Sequence, residues 1–184
     1  MTSGSVQEFA PSARDDLPQA DAGPARTLLV VDDHEVVIAS VEELLGGRYH
    51  VLGAHNAEEA LAILRQGGVA VVMADQRMPG ISGTELLAQI ATLDPDVTRI
   101  LMTGYPDLDA VMQAINQGKI YYYVTKPWEL NELEAVIDKA FEYHDLLRER
   151  RHLIAELRQA NDELEAKVQA RTQELAEKNL ASRR

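Results

Sequence analysis

No cysteine occurs anywhere in the 184 residues. Disulfides and thiolate-bound metals are therefore excluded, and a reducing, cytoplasmic setting fits. Long apolar runs are missing too: the longest are strand-length, well short of the roughly 20 residues a membrane span needs. The N-terminus has neither the basic start nor the apolar core of a secretory signal. Basic charge is scarce, with 18 Lys and Arg against 30 Asp and Glu and a formal net charge of −12. Such a chain repels phosphate backbones, which argues against direct nucleic-acid binding. Arg148, Arg150 and Arg151 form one basic cluster, read as a solvated helix face.

Residues 1–25, rich in Ala, Pro, Ser, Gly and Asp, show no sustained periodicity and are expected to be a disordered leader. From Arg26 the pattern changes. "TLLVV" (27–31), "YHVLGA" (49–54), "VAVVMA" (69–74), "TRILMT" (98–103) and "YYYVT" (121–125) read as strands. Between them, 34–45, a segment capped by Asn56, Thr84 to Leu93, and 107–118 have helical spacing. Strands alternating with helices predict an α/β fold whose parallel sheet is covered on both faces. In such sheets ligands bind outside the carboxyl ends of the strands.

Those ends carry the chemistry. Asp32 and Asp33 close the first strand, Asp75 the third, Thr103 the fourth and Lys126 the fifth. Three carboxylates at one rim repel unless a cation sits among them. All-oxygen ligation with room for water suits Mg²⁺, which in turn favours a phosphoryl oxygen as a further ligand. The pattern points to phosphoryl transfer onto a carboxylate. Asp75, which opens into a loop holding Pro79, Gly80 and Gly83, is the expected nucleophile. Asp33, with Asp32 behind it, is expected to hold the metal, while Lys126 and Thr103 serve the phosphoryl oxygens. His34 is read as a first-turn helix residue rather than a ligand.

"LLVVDDH", "VVMADQRMPGISG", "ILMTGYPD" and "YYYVTKPW" together resemble the signature segments of a bacterial response-regulator receiver domain, over about Thr27 to Phe141. That resemblance implies a doubly wound, flavodoxin-like five-stranded sheet of order 2-1-3-4-5. It implies Asp75 as phosphoacceptor, with phosphoryl groups arriving from a sensor histidine kinase and leaving by slow self-dephosphorylation. Asp32, Asp33, Asp75 and the Arg77 carbonyl would surround Mg²⁺, and the Lys126–Pro127 peptide would be cis. Thr103 and Tyr123 would be the switch residues, with Tyr121 on the same strand face as Tyr123 and Tyr122 on the other. The "TKPW" version resembles receivers fused to regulatory or cyclic-dinucleotide output modules. A haloacid-dehalogenase-type Mg²⁺ phosphohydrolase also uses a strand-end Asp, but it places a second acid where this chain has Arg77. A receiver-like interaction module that is never phosphorylated would not need the intact acidic pair, Asp75 and Lys126.

From Glu129 to Leu180 there is no Gly or Pro, and about 50 helical residues would make a rod of about 75 Å. Leu133, Val136, Ile137 and Ala140 should pack on the sheet, ending the globular unit near residue 141. Over 142–184, Leu147, Ile154, Asn161, Val168 and Leu175 recur at heptad position a, with Leu157 and Leu164 at d. That seam predicts a coiled coil, and Asn161 at a favours a parallel homodimer. Arg150, Arg171 and Lys178 interrupt d. His144 in "YHDLL" is read as a surface residue, not a phosphosite. The chain stops within a polar helical run, which is read as a cut before an output domain, either a cyclic-dinucleotide enzyme or a transcriptional regulator.

Overall fold

The computed structural model describes residues 26–104, 111, 115 and 119–181. Five strands form one parallel sheet: β1 (Thr27–Val31), β2 (His50–Ala54), β3 (Val69–Asp75), β4 (Thr98–Thr103) and β5 (Tyr122–Thr125). Their order is β2-β1-β3-β4-β5, so the direction of winding reverses between β1 and β3. The helices are α1 (Glu35–Leu45), α2 (Ala57–Gln66), α3 (Gly83–Leu93) and α4 (Leu130–Ala181). The helix expected over 107–118 lies outside the described residues except for Val111 and Ile115, which are helical. The leader expected over 1–25 lies outside them as well.

Period-two alternation splits the apolar side chains between two cores. Leu28, Val30, Val71, Met73, Ile100 and Met102 meet α1 and the first turns of α4 on one face. Leu29, Val31, Val72, Ala74 and Leu101 meet α2 and α3 on the other. A strand buried on both faces must be apolar throughout, which is why β1 is five consecutive buried residues. Local chemistry fixes the helix starts. The Asn56 side chain accepts from the Glu59 N–H at 2.9 Å. Ser82 and Glu85 form a reciprocal capping box on α3.

The long helix is anchored by its first turns. Leu133, Ile137, Ala140 and Phe141 are fully buried, and Phe141 stacks on Tyr49 with ring centroids 4.9 Å apart. The Tyr49 hydroxyl donates to Asp138, whose carboxylate also accepts from Arg48 at 3.1 Å. His144 is buried, not a surface residue as its sequence context suggests. Residues 137, 140, 141 and 144 share the inward helical face, and His144 Nδ1 lies 2.8 Å from the Asp96 carbonyl oxygen. Arg151, read as part of a solvated face, pairs with Asp96 at 2.6 Å. The helix crosses residues 141 and 142 without interruption. Beyond residue 148 every described side chain of the helix is exposed. No helix among the described residues is long and apolar enough to cross a membrane.

Candidate functional site

Parallel register brings the strand ends into line. Val31 pairs with Ala74, Asp75 with Met102, and Thr103 with Thr125. The next residues along, Asp32, Gln76 and Lys126, continue the ladder: their N–H groups donate to Ala54, Met102 and Thr103 carbonyls at 3.1, 2.9 and 2.9 Å. Asp32, Asp75, Thr103 and Lys126 therefore stand on one rim, at the crevice where the winding reverses.

Lys126 links the two buried carboxylates. Its Nζ lies 2.5 Å from Asp32 Oδ2 and 2.6 Å from Asp75 Oδ1. Asp32 is completely buried, whereas the Asp33 side chain keeps 28% of its exposure. Burial works against the lysine charge, but the hydrogen bonds to Asp32 and Asp75 outweigh it and hold the ammonium above its ordinary pKa. The Lys126–Pro127 peptide is cis, as the resemblance implied. The other Asp75 oxygen accepts from the Arg77 N–H at 2.7 Å.

The loop after Asp75 is shaped by its glycines. Gly80 has φ +92°, a conformation glycine alone adopts freely. At Gly83 a Cβ would sit 2.2 Å from the Asp75 carbonyl oxygen, so α3 begins pressed against the end of β3. Gln76 Oε1 accepts from the Thr84 hydroxyl at 2.6 Å and ties the two ends of the loop together.

His34 follows the acidic pair directly and stands just ahead of the first turn of α1. It is the N-cap of α1 but makes no capping hydrogen bond with its side chain. Its Nδ1 instead lies 3.1 Å from Asp32 Oδ1 and 3.1 Å from Asp33 Oδ1. The hydrogen bond to Asp32 and the charges of both carboxylates hold the imidazole above its ordinary pKa. Asp32, Asp33 and His34 offer ligand atoms within 4.8 Å of one another, a donor set that fits a divalent cation. The signal was adjacency: a histidine directly after an acidic pair at a strand end cannot move far from it.

Thr103 is buried at the rim, and Arg77 is exposed. Tyr123 is half-buried against the α2–α3 core. Tyr121 does not share its face: it packs on the opposite core and stacks on Tyr143, with centroids 4.5 Å apart. Strand alternation does not reach Tyr121 because β5 begins one residue later. Tyr122 is 47% exposed and borders a cleft with Glu132, Val136 and Lys139. Leu147 is half-buried, whereas Ile154, Leu157, Asn161, Leu164, Val168 and Leu175 are exposed. The Asn161 amide donates to Glu165 in its own helix at 2.9 Å.

A doubly wound sheet with carboxylates and a lysine at its reversal crevice defines a class of phosphoryl-handling signalling domains. Residues 28–138 match the response regulator receiver domain, and the chain belongs to that family. The hydrogenase transcriptional regulatory protein HoxA of Cupriavidus necator is 35% identical over 132 residues, which are 72% of this chain and 27% of that protein. The C4-dicarboxylate transport transcriptional regulatory protein DctD of Rhizobium meliloti is 35% identical over 125 residues, 68% of this chain and 27% of that protein. Among solved structures, the signal receiver domain of an HD domain-containing protein from Pseudomonas fluorescens is 37% identical with a TM-score of 0.66, covering 73% of this chain and 99% of that one. The chain spans about a quarter of the length of the curated relatives it matches.

Proposed function

We propose that Asp75 accepts a phosphoryl group from a sensor histidine kinase in the cytoplasm, and that α4 relays the change to an output domain beyond this chain. The observation that carries the proposal is the Lys126 ammonium held 2.5 and 2.6 Å from Asp32 and Asp75. It is a preorganised cation at the point where a phosphoryl group gains negative charge. An Asp75 oxygen attacks phosphorus, and the O–P bond forms as the N–P bond to the donor imidazole breaks. The imidazole leaves with the bonding pair and takes up a proton from water. Lys126 keeps its proton and turns from the carboxylate to a phosphoryl oxygen, while the Thr103 hydroxyl donates to another. Asp32, Asp33, Asp75 and the Arg77 carbonyl are the residues that would hold Mg²⁺, which when bound neutralises phosphoryl charge.

Recruitment of Thr103 favours an inward Tyr123 and reshapes the face of β5 and α4. The exposed row of Leu157, Leu164, Val168 and Leu175 supports a parallel homodimer with a second copy of the helix. Transcriptional regulators among the relatives support an output domain in the full protein. Incubation with acetyl phosphate and Mg²⁺, followed by intact mass measurement, tests the reading. A single phosphoryl adduct, absent in Asp75→Asn, is expected; steady turnover of simple phosphate esters without an adduct would replace it with a hydrolase.

A further inference from the structure

The His34 ring stands in an unusual place for an N-cap. One nitrogen, Nδ1, lies 3.1 Å from a carboxylate oxygen of Asp32 and 3.1 Å from one of Asp33. A single proton on that nitrogen can point along only one of these directions, whereas one divalent ion satisfies all three atoms. In an octahedral shell with bonds of about 2.1 Å, neighbouring ligand atoms lie about 3.0 Å apart. Both His34 separations have that length.

The surrounding hydrogen bonds assign the oxygens. Asp32 Oδ2 is taken by Lys126 at 2.5 Å, which leaves Oδ1 facing His34. The His34 backbone N–H donates to that same Oδ1 at 2.9 Å and fixes the carboxylate plane. The ring itself caps nothing, and its side chain is 71% exposed, so water can complete a shell on its open side. We infer that His34 is a further protein ligand, adding one nitrogen donor to the oxygen donors of the acidic pocket beside Asp32 and Asp33. Such a set favours first-row divalent ions that accept imidazole, such as Co²⁺ and Mn²⁺, over Mg²⁺, which prefers oxygen and keeps its waters. The inference rests on the proposed reading of the rim as a divalent-cation site, and it adds the residue that sets the preference among ions.

The test is calorimetric titration of the full chain with Co²⁺ and with Mg²⁺, in wild type and His34→Gln, with His152→Gln as a control for surface histidines. His34→Gln should weaken Co²⁺ binding ~10-fold or more and change Mg²⁺ binding less than ~2-fold. Pulsed EPR of the Mn²⁺-loaded protein should show imidazole nitrogen coupling that disappears in His34→Gln. Equal losses for both ions, a Co²⁺ loss in His152→Gln instead, or Mn²⁺ bound without nitrogen coupling would overturn the role of His34 and leave the phosphoacceptor reading standing. Failure of every divalent ion to bind would overturn both.

Discussion

Replacing Lys126 by Met removes the cation between Asp32 and Asp75 and keeps the aliphatic stem. The ammonium lies 2.5 and 2.6 Å from one oxygen of each, so those oxygens are at most about 5 Å apart. Two negative charges at that distance repel by about 3 kcal/mol at an effective dielectric of about 20. Breaking a buried pair by deleting one partner has a similar cost, about 3–5 kcal/mol. The lysine side chain retains 22% of its exposure, so the lower figure applies. About 3 kcal/mol corresponds to a Tm lowered by roughly 10 °C in a domain of this size. The carboxylates hold the lysine pKa above its ordinary value. Its contribution is therefore whole below the ordinary lysine value and vanishes as pH rises through the folded-state value. Urea unfolding with EDTA present, followed by the fluorescence of Trp128, the sole tryptophan, measures the loss. Asp75→Asn in the Lys126→Met background should recover part of it. A Lys126→Met protein as stable as wild type, or a double variant less stable than Lys126→Met, would refute the reasoning.

Gly83→Ala places a methyl group 2.2 Å from the Asp75 carbonyl oxygen; it should cost about 2–3 kcal/mol in chemical denaturation and slow labelling by acetyl phosphate. Burial, with the Asp138 hydrogen bond adding to it, pushes the Tyr49 phenol from 10.0 up to about 12. A raised folded-state value means that stability is whole below pH about 10 and falls as pH rises towards about 12; denaturation across that window should lose this slope in Tyr49→Phe. Leu157→Lys with Leu164→Lys charges two exposed positions on one face and should halve the sedimentation mass if they form the dimer seam, with acetyl phosphate labelling unchanged.

Much of this molecule was legible because burial on both sheet faces leaves a plain mark. β1, β3 and β4 had to be nearly continuous apolar runs, and their terminal charges then had to share one rim. Helix starts were equally legible at Asn56, where a single side chain does the capping. What escaped depends on contacts between distant segments. His144 reads as a surface histidine because its partner, the Asp96 carbonyl, lies 48 residues away. Tyr121 reads as a strand residue because nothing local shows that β5 starts at Tyr122. The orientation of the His34 ring was not legible. Its position was plain, but which way an exposed ring turns at an N-cap depends on where Lys126 leaves an Asp32 oxygen open.

Asp75 is the one carboxylate proposed to take the phosphoryl group. Borohydride reduction of the phosphorylated chain, followed by peptide mapping, reads this directly, because only an acyl phosphate is reduced under those conditions. Reduction at Asp75 alone, dependent on Mg²⁺ and lost in Lys126→Met, is the expected result. A label on Asp32 or Asp33, or an Asp75 that stays unmodified while Mg²⁺ is bound, would contradict it.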